Sequence, residues 1–382
     1  MPQLRRVGWT WCPALKAWVD EPAAGEGSSE ENREPVRFGR NRFVIYIGFA
    51  LPLLEKALIA RIRRQARASH SILTGIGDDC AVLRLSPSHE ALLTTDFTLE
   101  GIHFRREWHS PESVGHRCLT RGLSDIAAMG GEPIAAFLSL AVPGALPQKW
   151  VDGFMSGLLS LAKRFAVSLA GGDTAESPDG ILADIVVLGS VPRGKAILRS
   201  GARPGDRVYV SGRLGGSAAT LERMQLKPKP RLNPRDFKAH FFPEPRVRLG
   251  RALREKGLVS ATIDISDGLS TDLAHICEES GVGAEIREES IPRAAIGKPA
   301  YKVDLDFALH GGEDYELLFT VPRGRRIPAR IAGVPVTQIG HIIRGRKVFI
   351  MSKSGEAHEL LPQGWQHFAK LEGHTRTGHP QK

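Results

Sequence analysis

Short motifs that combine glycine with acidic residues recur along the whole chain, and most of them border a run of apolar residues. Strands and helices commonly end at such residues, so each motif predicts a turn at the end of an element. If several of these turns meet in the fold, they form a pocket lined by carboxylates. The motifs are Gly77-Asp78-Asp79, Thr94-Thr95-Asp96, Ser124-Asp125, Gly171-Gly172-Asp173-Thr174, Asp264-Ile265-Ser266-Asp267-Gly268 and Gly311-Gly312-Glu313-Asp314.

Such a pocket constrains the fold strongly, because clustered carboxylates repel one another. Two carboxylates about 4 Å apart repel by roughly 4 kcal/mol at an effective dielectric constant of 20. Divalent cations relieve that repulsion, and magnesium typically binds a few carboxylates together with phosphate oxygens. Metal ions that bridge nucleotide phosphates also stabilise the charge that develops in phosphoryl transfer. The motifs therefore favour a magnesium-dependent phosphotransferase.

Single motifs are less informative than the set, because any one aspartate can equally be a turn residue or a helix N-cap. Asp125 is the exception, since it lies within the apolar segment Leu123 to Met129, where a turn does not explain a carboxylate. The chain has no GxxxxGK(S/T) motif and no GxGxxG after a strand, so metal ions and dispersed basic groups must hold the phosphates. Arg199 can donate two hydrogen bonds to a phosphate, or it can be a surface arginine in a linker.

The order of predicted elements indicates an α+β fold, a mixed α/β arrangement without a repeated βαβ unit. We predict an N-terminal sheet domain over residues 51–193 and a C-terminal α/β domain over residues 194–372, joined by a Gly/Pro-rich connection. Residues 1–50 are expected to be a disordered or accessory extension, and residues 373–382 a flexible tail. The clearest predicted elements are helices over Ser113 to Met129, Trp150 to Phe165 and Ser270 to Ser280, and strands over Ala135 to Val142, Ile181 to Val191 and Leu317 to Val321.

Charge and composition exclude several other classes of protein. The 382 residues carry a formal net charge of +10, but Lys and Arg are dispersed, so phosphorylated small molecules rather than nucleic acid are the expected partners. The most apolar stretch, Phe43 to Leu54, has about 12 residues, whereas a membrane span needs roughly 20. The cysteines Cys12, Cys80, Cys118 and Cys277 form no CxxC pair, which favours buried thiols and a cytoplasmic location.

Read in order, the motifs resemble the thiamine-monophosphate kinase family of the aminoimidazole ribonucleotide synthetase-like superfamily. The resemblance covers roughly Leu53 to Phe368. It implies the two-domain superfamily fold, a homodimer whose N-terminal domains pair through their sheets, and direct transfer of the ATP γ-phosphoryl group to thiamine phosphate without a covalent nucleophile. The segments that carry it are GIGDDCAVL, TTDFTLEGIHF, LSDIAAMGGEP, GGDT, ILRSGARPGDRVYVSG, DISDGLSTDL and GGEDYELLFTVP.

The resemblance also implies roles for individual residues. The implied magnesium ligands are Asp79, Thr94, Thr95, Asp96, Asp125, Asp173, Asp264 and Asp267. The implied ATP-binding residues are Met155, Gly172, Asp173, Arg199 and Ser266. The implied thiamine phosphate-binding residues are His103, Glu313 and Trp365. A carboxylate and an aromatic ring suit a cationic thiazolium and a flat pyrimidine, and the alternatives are a surface histidine, a capping glutamate and a core tryptophan.

Two positions depart from the family pattern and concern the nucleotide contacts. Gly122 stands where the family usually has an asparagine, and Met155 stands where an aromatic residue often packs near the adenine. One alternative is another enzyme of the superfamily, resembling selenophosphate synthetase or aminoimidazole ribonucleotide synthetase. Cys12 lacks the glycine-rich loop that accompanies the reactive residue of the former. A second alternative is a non-catalytic nucleotide-binding protein, which has no need of an acid at every metal position.

Overall fold

The structure is a computed structural model that describes residues 61–66, 88–227 and 230–365, together with the backbone at residues 9–12, 17–20, 72–74 and 82–83. The chain divides into two compact units, Met1–Ile47 and Gly48–Lys382. In the first unit, β1 (Trp9–Cys12) and β2 (Ala17–Asp20) form an antiparallel hairpin. The remaining predictions for residues 1–50, and those for residues 373–382, lie outside the described residues. No helix in the described part is long and apolar enough to cross a membrane.

The N-terminal part of the second unit is built on a four-stranded sheet. A helical segment at residues 61–65 and a pair of short strands, β3 (Ile72–Thr74) and β4 (Val82–Leu83), precede it. The strands of the sheet are β5 (His89–Leu99), β6 (Glu132–Val142), β7 (Ser168–Glu176) and β8 (Leu182–Pro192), in the order β5-β8-β6-β7. β8 is antiparallel to both of its neighbours, and β6 and β7 are parallel. The helices α1 (Pro111–Ala128) and α2 (Gln148–Arg164) pack against this sheet and each other.

The close contact between α1 and α2 depends on glycine. Helix α1 begins at a serine cap, where the Ser113 N–H donates to Ser110 Oγ at 3.3 Å. A Cβ atom on Gly115 would lie 1.9 Å from the carbonyl oxygen of Phe154 in α2. A Cβ atom on Gly157 would lie 1.9 Å from the carbonyl oxygen of Glu112. Any larger residue would force the helices apart, so these glycines fix the position of α1, which carries much of the site described below.

The C-terminal part contains a larger sheet with helices packed around it. Its strands are β9 (Arg207–Ser211), β10 (Ala261–Asp264), β11 (Gly283–Arg287), β12 (Ala295–Ile296), β13 (Tyr301–Lys302), β14 (Leu317–Val321), β15 (Arg330–Ile331), β16 (Val334–Ile343), β17 (Val348–Met351) and β18 (Ala357–Glu359). Its helices are α3 (Gly216–Gln225), α4 (Lys238–Phe241), α5 (Val247–Glu255), α6 (Leu269–Ser280) and α7 (Leu305–His310). The sheet order is β10-β14-β9-β16-β11-β17-β18; β15 pairs with β16, and β12 pairs separately with β13.

Helix α1 connects the two sheets through a common core. All five residues of β14 are buried, because Leu317 and Phe319 face the core shared with α1 while Leu318 faces the core beneath α6. In α5, a Cβ atom on Gly250 would lie 1.9 Å from the Ala127 carbonyl oxygen, so α5 packs directly on α1. The chain therefore has two sheets of different size within one compact unit, the mixed α/β arrangement predicted from the sequence.

Candidate active site

Four of the six acidic motifs, from both domains, meet at one cleft with a volume of about 460 Å³. Strand β5 contributes Asp96, helix α1 contributes Asp125, and Asp264 lies at the end of β10. These residues are far apart in the chain, and only the packing of α1 between the two sheets brings them together. The predicted site residues that line the cleft are Thr95, Asp96, His103, Asp125, Arg199, Asp264, Ser266, Asp267, Glu313 and Trp365.

The carboxyl groups of Asp96, Asp125 and Asp264 form an acidic centre in this cleft. The Thr94 hydroxyl donates to Asp125 Oδ2 at 2.5 Å, and the Ser124 hydroxyl donates to Asp264 Oδ2 at 2.7 Å. Burial, followed by the charge of Asp125, raises the pKa of Asp96 to about 7. Burial also raises the pKa of Asp125, and burial together with the Asp125 charge raises the pKa of Asp264 well above its usual value. In the absence of a cation, this centre holds protons near neutral pH.

A hard divalent cation fits the acidic centre. Carboxylate and hydroxyl oxygens are the ligands that magnesium prefers, and the centre offers both kinds. Burial and like charges oppose ionisation here, and a bound cation reverses both effects. The neighbouring charges of Arg199 and Arg121 lower the pKa of Asp125, but they do not outweigh the effect of burial. The residues present can therefore hold magnesium between the two domains.

The loop that carries Ser266 and Asp267 is held by a residue that the sequence analysis did not identify. The carboxylate of Asp272, in the first turn of α6, accepts hydrogen bonds from the backbone N–H groups of Ser266, Asp267 and Gly268 at 3.2, 3.2 and 3.0 Å. Burial raises the pKa of Asp272 to about 7. A side chain that accepts three backbone donors fixes the loop at the rim of the cleft.

Glu313 lies at the side of the cleft between two arginines of α1. Arg117 donates to Glu313 Oε2 and Arg121 donates to Glu313 Oε1, each at 2.5 Å. Although burial alone would raise the pKa of Glu313, the two guanidinium groups hold it well below its usual range. Glu313 has a φ of 66° and its backbone N–H donates to the Ser266 carbonyl oxygen at 2.8 Å, so the two glycine-acid loops are joined directly. A non-glycine residue at positive φ is costly and is maintained here by these contacts.

Arg117 also organises two buried histidines. Its Nη1 lies 3.1 Å from His109 Nε2 and 3.0 Å from His240 Nε2. The two Nε2 atoms also lie 2.9 Å apart, so Arg117, His109 and His240 form one buried hydrogen-bond cluster. His109 Nδ1 lies 3.1 Å from the Arg105 carbonyl oxygen and His240 Nδ1 lies 2.9 Å from Ser217 Oγ, so both can donate there. Burial, followed by the Arg117 charge, lowers the pKa of His240 well below its usual value.

The remaining cleft residues lie where a ligand can contact them. Leu99 N–H donates to His103 Nδ1 at 2.9 Å, which fixes the orientation of this half-buried imidazole. Trp365 is 51% exposed, so it is not a core tryptophan, and its backbone N–H donates to the Asp267 carbonyl oxygen at 3.1 Å. Arg199 is exposed at the cleft, and its charge reaches Asp125. These placements exclude the buried alternative for Trp365 and bring Arg199 close to the acidic centre.

Gly172 and Asp173 are not brought into the cleft. Both lie on β7, at the opposite edge of the sheet from β5, which carries Asp96. Three strand spacings separate the two edges, or roughly 14 Å. The Asp173 carboxylate is exposed and accepts from the Thr174 N–H at 2.8 Å. Gly172 has a structural reason to be glycine, because a Cβ atom would lie 1.8 Å from the Leu138 carbonyl oxygen. Within one copy of the chain, Asp173 therefore lies apart from the acidic centre.

Met155 lies away from the cleft, and Asp79 cannot be placed. Met155 lies in α2 with 2% of its surface exposed, packed in the core rather than at the cleft, and its predicted nucleotide contact stays a prediction. The apolar face of α2 accounts for its identity. Asp79 lies outside the described residues. Thr94 does not line the cleft itself, but it supports Asp125 through its hydroxyl.

The fold defined by these two sheets matches a known class of proteins. Residues 77–191 match the family model for the N-terminal domain of AIR synthase related protein, and residues 203–353 match the model for the C-terminal domain. The predicted fold class is thereby confirmed.

The relatives define the family more narrowly. The chain is 37% identical over 329 residues to thiamine-monophosphate kinase of Escherichia coli (strain K12), covering 82% of this chain and 98% of the relative. It also resembles the crystal structure of thiamine-monophosphate kinase from Stenotrophomonas maltophilia K279a, with 35% identity, a TM-score of 0.69 and coverage of 79% and 97% of the two chains. A structure of AaThiL complexed with AMPPCP and TMP is 34% identical, with a TM-score of 0.65 and coverage of 75% and 89%. The chain belongs to the thiamine-monophosphate kinase family, and the prediction of an enzyme of this type is confirmed.

Proposed function

We propose that this protein transfers the γ-phosphoryl group of ATP directly to thiamine phosphate, forming thiamine diphosphate with the help of several magnesium ions. The observation that carries the proposal is the meeting of Asp96, Asp125 and Asp264 in one cleft, opposite the arginine-bound Glu313. Membership of the family supports the reaction. AaThiL, a relative at 34% identity, has been crystallised with AMPPCP and TMP together, which supports two substrates at one site.

The cleft residues divide into three groups with different tasks. Asp96, Asp125, Asp264 and Asp267, with Thr95, are the residues that would hold magnesium, whose charge would stabilise the transferring phosphoryl group. Arg199 and Ser266 would contact the nucleotide. His103, Glu313 and Trp365 would contact the acceptor. The hydrogen bond from the Glu313 backbone N–H to the Ser266 carbonyl oxygen holds the acceptor-binding residues next to the nucleotide-binding residues. Transfer between two bound substrates requires this proximity.

Direct in-line transfer is favoured over a phosphorylated enzyme by the state of the buried histidines. The Nε2 atoms of His109 and His240 lie 2.9 Å from each other and 3.1 and 3.0 Å from Arg117 Nη1, so both are engaged in a buried hydrogen-bond cluster rather than directed at a phosphoryl group. Cys118 is fully buried in the core, and burial raises the pKa of its thiol to about 12. The residues of the cleft therefore act by binding and orienting two substrates rather than by forming a covalent intermediate.

We further propose that the protein is a homodimer in the cytoplasm. Leu93 and Phe97 alternate with the buried residues of β5 and are 71% and 55% exposed, which leaves an apolar face on the N-terminal sheet. Asp173 lies on the same sheet, so pairing of two sheets is also a route by which it could join a partner's site. Cys118 and Cys277 are free buried thiols, which suits a reducing compartment. A Phe97→Asp variant that remains dimeric by light scattering would contradict the proposed pairing face.

The test of function is the formation of thiamine diphosphate from thiamine phosphate. We expect product only when ATP, magnesium and thiamine phosphate are all present, and we expect EDTA to abolish it. ATP consumption without formation of thiamine diphosphate, or turnover without a divalent ion, would overturn the proposal.

A further inference from the structure

We propose that Arg121 is a further substrate-binding residue, and that its guanidinium binds the phosphate ester of the acceptor. The inference deepens the proposed function and rests on it. It concerns how the site distinguishes a phosphorylated acceptor from the corresponding free alcohol, a distinction that neither the acidic centre nor Glu313 can make alone.

The first argument is the incomplete hydrogen bonding of Arg121. Its side chain is 12% exposed and lines the cleft, one helical turn after Arg117. Within the described part of the chain, the guanidinium makes one hydrogen bond, from Nη2 to Glu313 Oε1 at 2.5 Å. Its Nε is buried and has no hydrogen-bond partner among the described residues. A guanidinium has five N–H donors, and Nη1 of Arg121 donates to none of the described residues, so this arginine has unused capacity for an acceptor in the cleft.

The second argument comes from Arg117, whose terminal nitrogens are already engaged. Nη1 lies within hydrogen-bond distance of His109 and His240, while Nη2 donates to Glu313 and to the His103 carbonyl oxygen at 3.3 Å. Arg117 does not line the cleft, whereas Arg121 does. Arg117 therefore orients Glu313 and the histidines, and of these two arginines Arg121 is the one that a ligand in the cleft can contact.

The third argument is the local charge. Arg117 and Arg121 contribute two positive charges and Glu313 one negative charge, so the cluster as a whole carries a charge of +1. Neutral His240 does not change this sum. A cluster with excess positive charge binds an anion more readily than it binds the thiazolium cation. Since a guanidinium presents two parallel N–H groups that match phosphate geometry, a phosphate monoester is the chemical class that fits.

The position of Arg121 identifies which phosphate it would contact. Arg121 pairs with Glu313 on the acceptor side of the cleft, and its charge also acts on Asp96 and Asp125 of the acidic centre. Arg199 lies at the cleft from a separate segment and also acts on Asp125. An acceptor phosphate bound at Arg121 would lie between Glu313 and the magnesium-binding residues, which is where the attacking oxygen must be.

The test compares binding of thiamine phosphate, thiamine and ATP, with magnesium present, to the full-length wild type and to three variants. Arg121→Met removes the charge but keeps most of the stem, Arg121→Lys keeps the charge without the paired donors, and Arg251→Met removes an exposed arginine of α5 as a control. We expect Arg121→Met to weaken thiamine phosphate binding by about tenfold to a hundredfold. Thiamine and ATP should bind within about twofold of wild type, and Arg121→Lys should recover part of the loss.

Three results would overturn the inference. Equal weakening for thiamine and thiamine phosphate would show that Arg121 acts only by holding Glu313. Weakening for ATP alone would place Arg121 at the nucleotide, and unchanged affinities would exclude a contact. If Arg121→Met fails to fold, Arg121→Gln is measured in its place with the same expectations. Failure of the proposed function is recognised separately, because the wild type itself would then not bind or phosphorylate thiamine phosphate.

Discussion

Arg117 and Glu313 are 196 positions apart in the chain and form an ion pair across the two domains, with an N–O distance of 2.5 Å. Arg117 is almost completely buried, and it lies in α1 of the N-terminal domain. Glu313 belongs to the loop before β14 of the C-terminal sheet. Because the same guanidinium also binds His240 from α4, it fixes the walls of the cleft relative to each other. The ion pair thus links the packing of the domains to the geometry of the site.

Replacing Arg117 should destabilise the protein as well as the site. In Arg117→Met, Glu313 keeps Arg121 but loses its second partner, and two buried imidazoles lose the guanidinium beside them. Removal of one partner from a buried network typically costs a few kcal/mol, so we expect the free energy of unfolding to fall by about 2 to 4 kcal/mol. Chemical denaturation measures this. Arg251→Met, which breaks exposed ion pairs in α5, should change stability by less than about 1 kcal/mol. Equal effects of the two variants would contradict a structural role for Arg117.

The sequence predicted the elements and the acidic centre because both depend on local patterns. The strand predicted at Leu317 to Val321 is observed with those bounds, and the helix predicted at Ser113 to Met129 is observed at Pro111–Ala128. Asp96, Asp125 and Asp264 could be grouped because each lies beside an apolar run in a motif typical of the family. Asp125, a carboxylate within an apolar helix, was the clearest local signal.

The arginine and histidine network could not be predicted, because its members have no shared local pattern. In sequence, Arg117 and Arg121 resemble the solvated face of a helix, and His240 lies in a short basic segment. Only the packing of α1 against the C-terminal domain buries them. For Met155, the resemblance indicates a position near the nucleotide, whereas the apolar periodicity of α2 turns this side chain into the core, so its nucleotide contact stays a prediction. The placement of Asp173 on β7, at the opposite edge of the sheet from Asp96, shows likewise that a motif does not specify which strand of a sheet carries it.

Asp125→Asn should raise the stability of the metal-free protein and lower its activity. The substitution preserves size and the acceptor for the Thr94 hydroxyl, but it removes one negative charge from the acidic centre. Since burial opposes ionisation of Asp125, we expect the metal-free variant to melt about 2 to 4 °C above wild type at pH 8. Turnover should fall by at least about a hundredfold, or ~2.7 kcal/mol of barrier. Turnover within twofold of wild type would show that Asp125 is not part of the reacting site.

Magnesium affinity should increase as the pH rises towards about 7. In the metal-free protein, the pKa of Asp96 is raised to about 7, so a proton must leave before the carboxylate binds a cation. Affinity should therefore rise as pH increases to about 7 and then level off, with binding at pH 6 about tenfold weaker than at pH 8. Titration calorimetry in buffers of different ionisation enthalpy would measure both the affinity and the released protons.

The raised pKa of Asp96 should also make the stability of the metal-free protein depend on pH. Because the folded protein binds this proton more tightly than the unfolded chain does, metal-free stability should decrease as pH rises from about 4 to 7. Magnesium should offset the loss above pH 7. The Asp96→Asn variant is the control, since it should show a weaker dependence. A magnesium affinity that is constant between pH 6 and 8 would contradict the geometry of the acidic centre.

Removal of residues 1–47 should leave catalysis largely intact. These residues form a separate compact unit, and every residue that lines the cleft lies after it. We expect turnover within about twofold of the full-length chain, a difference worth ~0.4 kcal/mol of barrier. The melting temperature of the second unit should change by no more than about 3 °C. Loss of folding on truncation would show that the first unit is required by the rest of the chain.

Trp365→Ala should weaken acceptor binding selectively. Trp365 lines the cleft with half of its surface exposed, and its backbone is held by the Asp267 carbonyl oxygen, so the ring can stack on a ligand without supporting the core. Contact between an aromatic face and a cationic ring contributes roughly 0.5 to 2 kcal/mol. The Michaelis constant for thiamine phosphate should therefore rise about two- to thirtyfold, provided that it reports binding. The constant for ATP should change by less than about twofold.

Two steady-state titrations on the Trp365→Ala variant, one for each substrate, measure this selectivity. Leu361→Ala is a matched control, because Leu361 is an exposed apolar residue of the same segment that does not line the cleft. It should leave both Michaelis constants unchanged. An equal rise for thiamine phosphate and ATP would show that Trp365 shapes the cleft as a whole. A rise for ATP alone would place the ring at the nucleotide, and Trp365 would then belong with Arg199 and Ser266 rather than with His103 and Glu313.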